Sequence, residues 1–446
     1  MNRYLFTYTL LLIVFLSPVR GKLSAQDFNK KSLTLEQVWN KVDSGNSQLK
    51  LSGLMLDESV IDVDISRDDL LPSLAASGSA LHNTKFRMYP EGLFSSPDFF
   101  PVSRYGYGFG YSFSLNVYEG GKNSRNIRIK KEENLKMQNE YALQQNNLHY
   151  LAAIVFYDLY KFLHFRDLLS TEITTQKKQL QTIESFYRNG TVIKSDVLRS
   201  NVKLSQLELS LSDINKQIQV ASTRLNILMG HGSEDSVVIS YEDSITQVEL
   251  PQQDSYMEYI EIALSKSPAY KIEINNLQLA NLNIRQIRSN IFPKVSLSSY
   301  YNYTYPQVSY YPYSNQLWSF GQTGLKITYS LDNLYKNKHL VAKAKNAIAQ
   351  QTETVKMKQD ELSADIKEAY LQYQQAEEAV MTAEENIIQN TESVRVIRSS
   401  YINQESLLTD LLNAENSLLE SKFALTSAIV NLRLSHIRLL AKAGFL

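Results

Sequence analysis

Cysteine is absent from the 446 residues, which excludes disulfide bridges, thiolate metal ligands and the acylated cysteine that anchors a bacterial lipoprotein. Histidine is scarce: the six copies are scattered, and no H-E-x-x-H or comparable ligand spacing occurs. With no serine elbow or nucleotide loop either, no enzyme, cofactor or metal is expected. Nor is there an excess of charge of one sign. Forty-six basic residues balance 46 acidic ones, so general affinity for nucleic acid is not expected. Beyond residue 25 no apolar run approaches the ~20 residues of a membrane helix. If the mature chain enters a bilayer, it does so as strands.

What is present begins with an export signal. Arg3 precedes an apolar core from Leu10 to Leu16, and Leu23-Ser24-Ala25 offers a cleavage site. Residues 1–25 are therefore expected to be removed as a signal peptide. Aromatic residues are plentiful, with 28 tyrosines and 17 phenylalanines, which fits a membrane barrel with aromatic girdles.

The chain is internally duplicated. Pro72 and Pro293 align at an offset of 221, each after an apolar pair, and upstream Asn46-Ser47 meets Ser267-Pro268. Downstream the offset becomes 214, pairing Leu115 with Tyr329, Lys122-Asn123 with Lys336-Asn337, Tyr187 with Tyr401 and Asp196 with Asp410. The repeats are 26–230 and 254–446, joined by a linker over 231–253 that carries a short strand at Val237 to Ser240. The seven-residue change in offset falls between the two strands of each half, where surface loops tolerate it.

Each half reads as a helix, two strands and two helices, giving a mostly α protein with a β contribution. First helices are predicted over Thr34 to Leu70 and Asp254 to Ile291, each ending before a proline. Very long helices, Gly121 to Tyr187 and Leu334 to Tyr401, are followed by return helices over Ser195 to Met229 and Leu407 to Lys442. Leu204, Leu207, Leu211, Ile214, Ile218, Ala221, Leu225 and Leu228 keep a 3-4-3-4 spacing, a coiled-coil seam. The first and return helices together match one long helix in length. The short pair is therefore expected to meet end to end part-way along it.

Strands are expected at about 72–84, 104–118, 294–305 and 319–331. From Tyr105 to Val117 every odd residue is apolar or aromatic and every even one is Gly, Ser or Asn. The aromatic face suits lipid and the small polar face a lumen. Tyrosines alternate with Gly106, Gly108 and Gly110 and no strand-to-helix turn follows them, so these glycines are not a phosphate loop. Four strands cannot close a transmembrane barrel, because open edges are excluded from hydrocarbon. Three copies would give twelve strands and leave room for a pore.

The order of elements, the duplication and two turn segments resemble the TolC-like outer-membrane efflux family across nearly the whole mature chain. The turns are Gly190-Thr191-Val192-Ile193-Lys194-Ser195-Asp196-Val197-Leu198 and its repeat Gln404 to Leu412. Leu225-Asn226-Ile227-Leu228-Met229-Gly230 and Tyr118-Glu119-Gly120-Gly121 also match. The resemblance implies a homotrimer with a twelve-stranded barrel in outer-membrane lipid and a helical tunnel through the periplasm. Its partners would be a periplasmic adaptor and an inner-membrane pump or transporter.

In that family charged and tyrosine contacts close the tips. Tyr401 and Asp410 match gate positions, Asp196 is the first-half counterpart, and Asn189, Gly190, Asn403 and Gln404 fall in the turns that would meet the adaptor. Ser406 and Asn413 depart from the pattern, standing where the family has a basic and an acidic residue. Helix capping is the plainer role for Asp196 and Asp410. The competing reading of the whole chain is a secreted coiled-coil spacer or adhesin, which accounts for the helices and the signal but not for amphipathic strands placed twice between them.

Overall fold

The computed structural model describes residues 32–232, 239 and 256–446. The expected signal and most of the linker lie outside the described residues. So does the short strand expected at 237–240, apart from Ile239, which bridges Leu33 in parallel.

The first predicted helix is two helices, α1 (Leu35–Gly45) and α2 (Ser47–Asp68). Asn46 makes the break: its backbone is extended, and its side chain accepts from the backbone N–H groups of Gln48 and Leu49, capping α2. The strands β1 (Ser73–His82), β2 (Phe86–Met88), β3 (Asp98–Phe100) and β4 (Tyr105–Glu119) follow. Next come α3 (Lys122–Arg188) and α4 (Lys194–Leu228).

The second half repeats the scheme. Its predicted first helix is α5 (Tyr256–Lys266) and α6 (Pro268–Arg288), broken where Pro268 opens α6 without an N–H to satisfy. Then come β5 (Lys294–Tyr305), β6 (Trp318–Thr328), α7 (Asn333–Ile402) and α8 (Leu408–Ala443). The fourth strand was expected to run to residue 331. It stops at Thr328, because the chain turns into α7, with Asn333 N–H donating to Ser330 O.

Four strands form one antiparallel sheet in the order β1-β4-β5-β6, while β2 and β3 make a separate hairpin beyond it. The register puts Tyr107 opposite Tyr305, Phe109 opposite Tyr303 and Leu115 opposite Leu297. The first two pairs stack at 5.1 and 4.6 Å between ring centres, so one face is largely aromatic and aliphatic, interrupted by Ser299, Ser319 and Thr323. The opposite face is less uniformly small than the sequence implies. Besides Gly, Ser and Asn it carries Tyr300, Phe320 and Trp318, with the Tyr300 hydroxyl donating to Gln322.

The helices continue the same neighbour order. Near the sheet α2 packs on α3, α3 on α6 and α6 on α7, matching β1, β4, β5 and β6 strand for strand. Farther away α4 and α8 take over from α2 and α6 by meeting them end to end. Asn46 Nδ2 donates to Leu228 O at 2.9 Å, and Gly45 lies against Met229 and Gly230. In the second half Gly444 lies against Lys266 and Ser267. The chain thus forms four parallel struts, two continuous and two spliced. At 1.5 Å per residue, the 67 residues of α3 span ~100 Å.

The main core lies at the first splice, where α1 crosses α3. Leu35, Val38, Val42, Leu49, Ala152, Phe156, Tyr157, Leu225 and Met229 are buried together there. By contrast, the outer strut α2 leaves Leu51, Leu54, Ile61 and Ile65 each more than half exposed at helical spacing. On the far strut α7, Leu371, Met381 and Ile388 are likewise exposed. Apolar stripes on both outer struts, together with the unpaired edges of β1 and β6, are surfaces a single chain leaves open. No helix among the described residues is long and apolar enough to cross a membrane.

Candidate functional site

At the end remote from the sheet each long helix turns into its return helix. The two turns repeat each other bond for bond. In the first, Asn189 N–H donates to Ser185 O, Gly190 N–H to Tyr187 O and Thr191 N–H to Phe186 O. In the second, Asn403 donates to Ser399 O, Gln404 to Tyr401 O and Glu405 to Ser400 O, an offset of 214 at every position. Gly190 and Gln404 take left-handed backbone, with φ of 74° and 64°. Gln404 is the only non-glycine residue with positive φ among the described residues. All four turn residues are exposed.

Behind the turns Ile183, Leu408, Leu411 and Leu412 are buried, with Val192, Val197, Ile397 and Tyr401 packed against them. Tyr401 is half-buried and its hydroxyl is enclosed without a hydrogen-bond partner. Burial pushes its phenol up, and the charge of Asp196 across the tip pushes it further. Of the three residues singled out in the sequence, Tyr401 and Asp196 therefore lie within electrostatic reach of each other, with no hydrogen bond between them. Asp410 does not join them. It is exposed in the first turn of α8, where its Oδ2 accepts from the backbone N–H of Leu407 at 3.2 Å, so capping is its visible role.

Ser406, in place of a base, donates weakly to Ile397 O at 3.4 Å. The cross-tip contact comes instead from Arg199, which donates to Thr409 Oγ1. A cavity of about 320 Å³ lies between α4 and α8, lined by Arg199, Lys203, Thr409, Leu412, Asn413 and Asn416 among others. Asn413, the second departure from the family pattern, is one of its walls.

Just above the tip lies a polar layer that sequence reasoning missed. Gln176 Nε2 donates to Ser200 Oγ at 2.9 Å in full burial, and Lys203 donates to Asn416 Oδ1. Arg398 pairs with Glu415 at 2.9 Å; the Glu415 side chain is only 5% exposed and its second oxygen has no partner. Glu172 faces this group. Burial raises its carboxyl, as does Glu415 beside it, against the opposing pull of Lys203, Lys422 and Arg398. Burial lowers the Lys203 ammonium. In sequence these look like ordinary solvated helix charges, and only the convergence of α3, α4, α7 and α8 distinguishes them. The described residues hold no group of His, Asp or Glu able to bind a metal.

The chain thus combines long paired helices, an open four-stranded sheet with one largely apolar face, and two matching turns at the far tip. Residues 40–231 and 259–444 match the family described as outer membrane efflux protein. The chain belongs to that family. The outer membrane efflux proteins are channels, and this one is the outer-membrane channel component of an efflux system, extending into the periplasm.

Solved structures with the same fold include the outer-membrane channel OprN, at 18% identity and TM-score 0.75, covering 92% of this chain and 89% of that one. The outer membrane protein VceC of Vibrio cholerae aligns at 15% identity and TM-score 0.74, covering 92% and 97%. The CmeC outer membrane channel of Campylobacter jejuni aligns at 15% identity and TM-score 0.75, covering 98% and 94%. No curated protein matches significantly in sequence. The two matched segments of the efflux protein pattern fall one in each half of the duplication.

Proposed function

We propose that this efflux channel is a homotrimer exported by its signal peptide, and that its periplasmic tip is a gate held partly by Tyr401 and Asp196. Each chain contributes four strands to a shared twelve-stranded barrel, and cargo moves passively from an inner-membrane pump to the exterior. The exposed turns at Asn189, Gly190, Asn403 and Gln404 are the surface offered to a periplasmic adaptor.

The observation that supports the gate is an enclosed phenol without a hydrogen-bond partner, packed between the two hairpins of the tip and within electrostatic reach of the carboxylate on the other hairpin. Asp410 has a second role in this reading. Three copies around the axis form an exposed acidic ring that favours cations.

Planar-bilayer recordings test the proposal. Asp196→Asn combined with Tyr401→Phe is expected to raise the frequency of open events, and Asp410→Asn to lower cation preference. A frequency of open events unaltered in the double variant would remove the gate. Selectivity unaltered in Asp410→Asn would remove the ring.

A further inference from the structure

Several exposed bases near the sheet end of the helices form no ion pair among the described residues. Six of them share one side of the layer: Arg128 and Lys131 on α3, Arg285 and Arg288 on α6, and Lys338 and Lys345 on α7. Three nearby acids are already engaged: Asp62 by Lys130, Asp64 by Arg67 and Asp332 by Lys336.

Neighbour contacts fix where these bases point. On α3, Lys130 and Asn134 reach Asp62 and Ser59 of α2, while Glu132 and Asn139 meet Asn275 of α6. With 3.6 residues per turn, Lys131 projects midway between those flanks, and Arg128 lies on the same side. On α6 the flanks are Asn275, toward α3, and Glu273, which accepts from Gln351 of α7 at 2.7 Å. Arg285 and Arg288 stand together between them. On α7, Asn337 and Ala344 are buried, and Lys338 and Lys345 lie a quarter-turn away. Because α6 runs opposite to α3 and α7, the reversed sense of rotation brings all six to one face of the layer.

The sheet says which face that is. Tyr305 and Tyr303 aim their carbonyls at β4, 3.0 and 3.1 Å from where a Cβ would stand on Gly106 and Gly108. For L-residues this direction sets the hand of the sheet. Seen from the aromatic face with the loops uppermost, β4 lies to the right of β5. The same neighbour order carried into the helices puts the six bases on the aromatic, lipid-type side. Directly above them on that side Tyr118, Ile327 and Tyr329 are exposed. Arg288 closes α6, and Arg128 and Lys338 lie about 8–9 Å into their helices at 1.5 Å per residue. Arg285 and Lys131 come a turn deeper. An apolar belt followed at this depth by long cationic side chains matches the passage from hydrocarbon to headgroups.

We propose that these bases form a collar that binds the anionic headgroups of the periplasmic-leaflet phospholipids. Charge complementarity and continuity with the lipid-facing barrel commit the surface to that occupant. The lysines of α7 lie on an outer strut, beside a neighbouring chain, whereas α3 and α6 are the central struts, so four of the six bases stay uncovered in the trimer. The inference does not depend on the gate.

Native mass spectrometry of the detergent-purified trimer, titrated with phosphatidylglycerol or phosphatidylethanolamine, tests the collar. Wild type is expected to retain phosphatidylglycerol in preference by about fivefold. Either pair variant, Arg128→Gln with Lys131→Gln or Arg285→Gln with Arg288→Gln, is expected to reduce that preference while remaining a trimer. Inorganic phosphate at matching concentration should not compete. Equal retention of both lipids, or a preference unchanged in both pair variants, would overturn the collar. So would competition by free phosphate, or variants that alter ion selectivity and leave lipid retention unchanged.

Discussion

The two halves of the chain are built to one plan and closed with different precision. In the first half the spliced strut is sealed by two facing glycines: a Cβ on Gly45 would run into Met229 O, and one on Gly230 into Gly45 O. In the second half a Cβ on Gly444 would stand 3.0 Å from Lys266 and Ser267 backbone atoms, tight but not prohibitive. The tips reverse the order of comfort. Gly190 takes its left-handed backbone freely, whereas Gln404 takes the same conformation with a side chain attached. Duplication has preserved the backbone path, and each half has spent its glycines at a different point along it.

The largest expected effect follows from the splice. Gly45→Ala should lower trimer yield sharply, losing roughly 3 kcal/mol or more through backbone overlap that no rotamer relieves. Gly444→Ala should lose about 1 kcal/mol, mainly from its positive φ. Melting of the two purified variants side by side checks this. Equal losses would mean the two splices do not differ.

Next in size is Arg398→Ala. It removes the partner of a carboxylate buried in the polar layer, and about 2 kcal/mol of stability is expected to go. That figure allows for the exposure of half the Arg398 side chain. Glu415→Gln in the same background should recover part of the loss. No recovery would mean that Arg398 acts through packing rather than charge.

Glu172 gives a smaller effect whose size depends on pH. Its folded carboxyl is held above its ordinary range, so the protonated form is favoured by folding. That contribution is fully present below the unfolded carboxylate range and is lost as pH rises through the raised value. Glu172→Gln should therefore melt about 1–3 °C above wild type at neutral pH. The gap should close on acidification. A gap that widens toward acid pH would contradict the assigned cause.

The smallest effect separates the tips. Gln404→Gly should gain a few tenths to about 1 kcal/mol by relieving left-handed backbone strain, and Gly190→Ala should lose a similar amount. Both are measurable by chemical denaturation. A destabilised Gln404→Gly would show that the glutamine side chain contributes something its exposed position does not reveal.

Much of this architecture is legible in the sequence because repetition exposes it. The offset of 214 pairs Gly190 with Gln404 and Asp196 with Asp410, and strict alternation marks β4 without ambiguity. The breaks at Asn46 and Ser267 are harder to see, since apolar periodicity continues on both sides and one residue makes the difference, the capping side chain of Asn46 in the first half and Pro268 in the second. The end of β6 is hidden for a similar reason: Tyr329 and Leu331 prolong the alternation past the point where the chain turns. At the tip, Tyr401 and Asp196 stand out through the family pattern, whereas Arg199, Lys203 and Glu415 do not. Their function arises from four helices converging, and a charged residue on one helix carries no mark of what will face it.

One chain is a third of a channel, and the mass of the detergent-solubilised mature protein tests this most directly. Light scattering corrected for bound detergent should give three chains, consistent with the open edges of β1 and β6 and the bare apolar stripes of α2 and α7. A stable monomer, soluble without detergent, would contradict it.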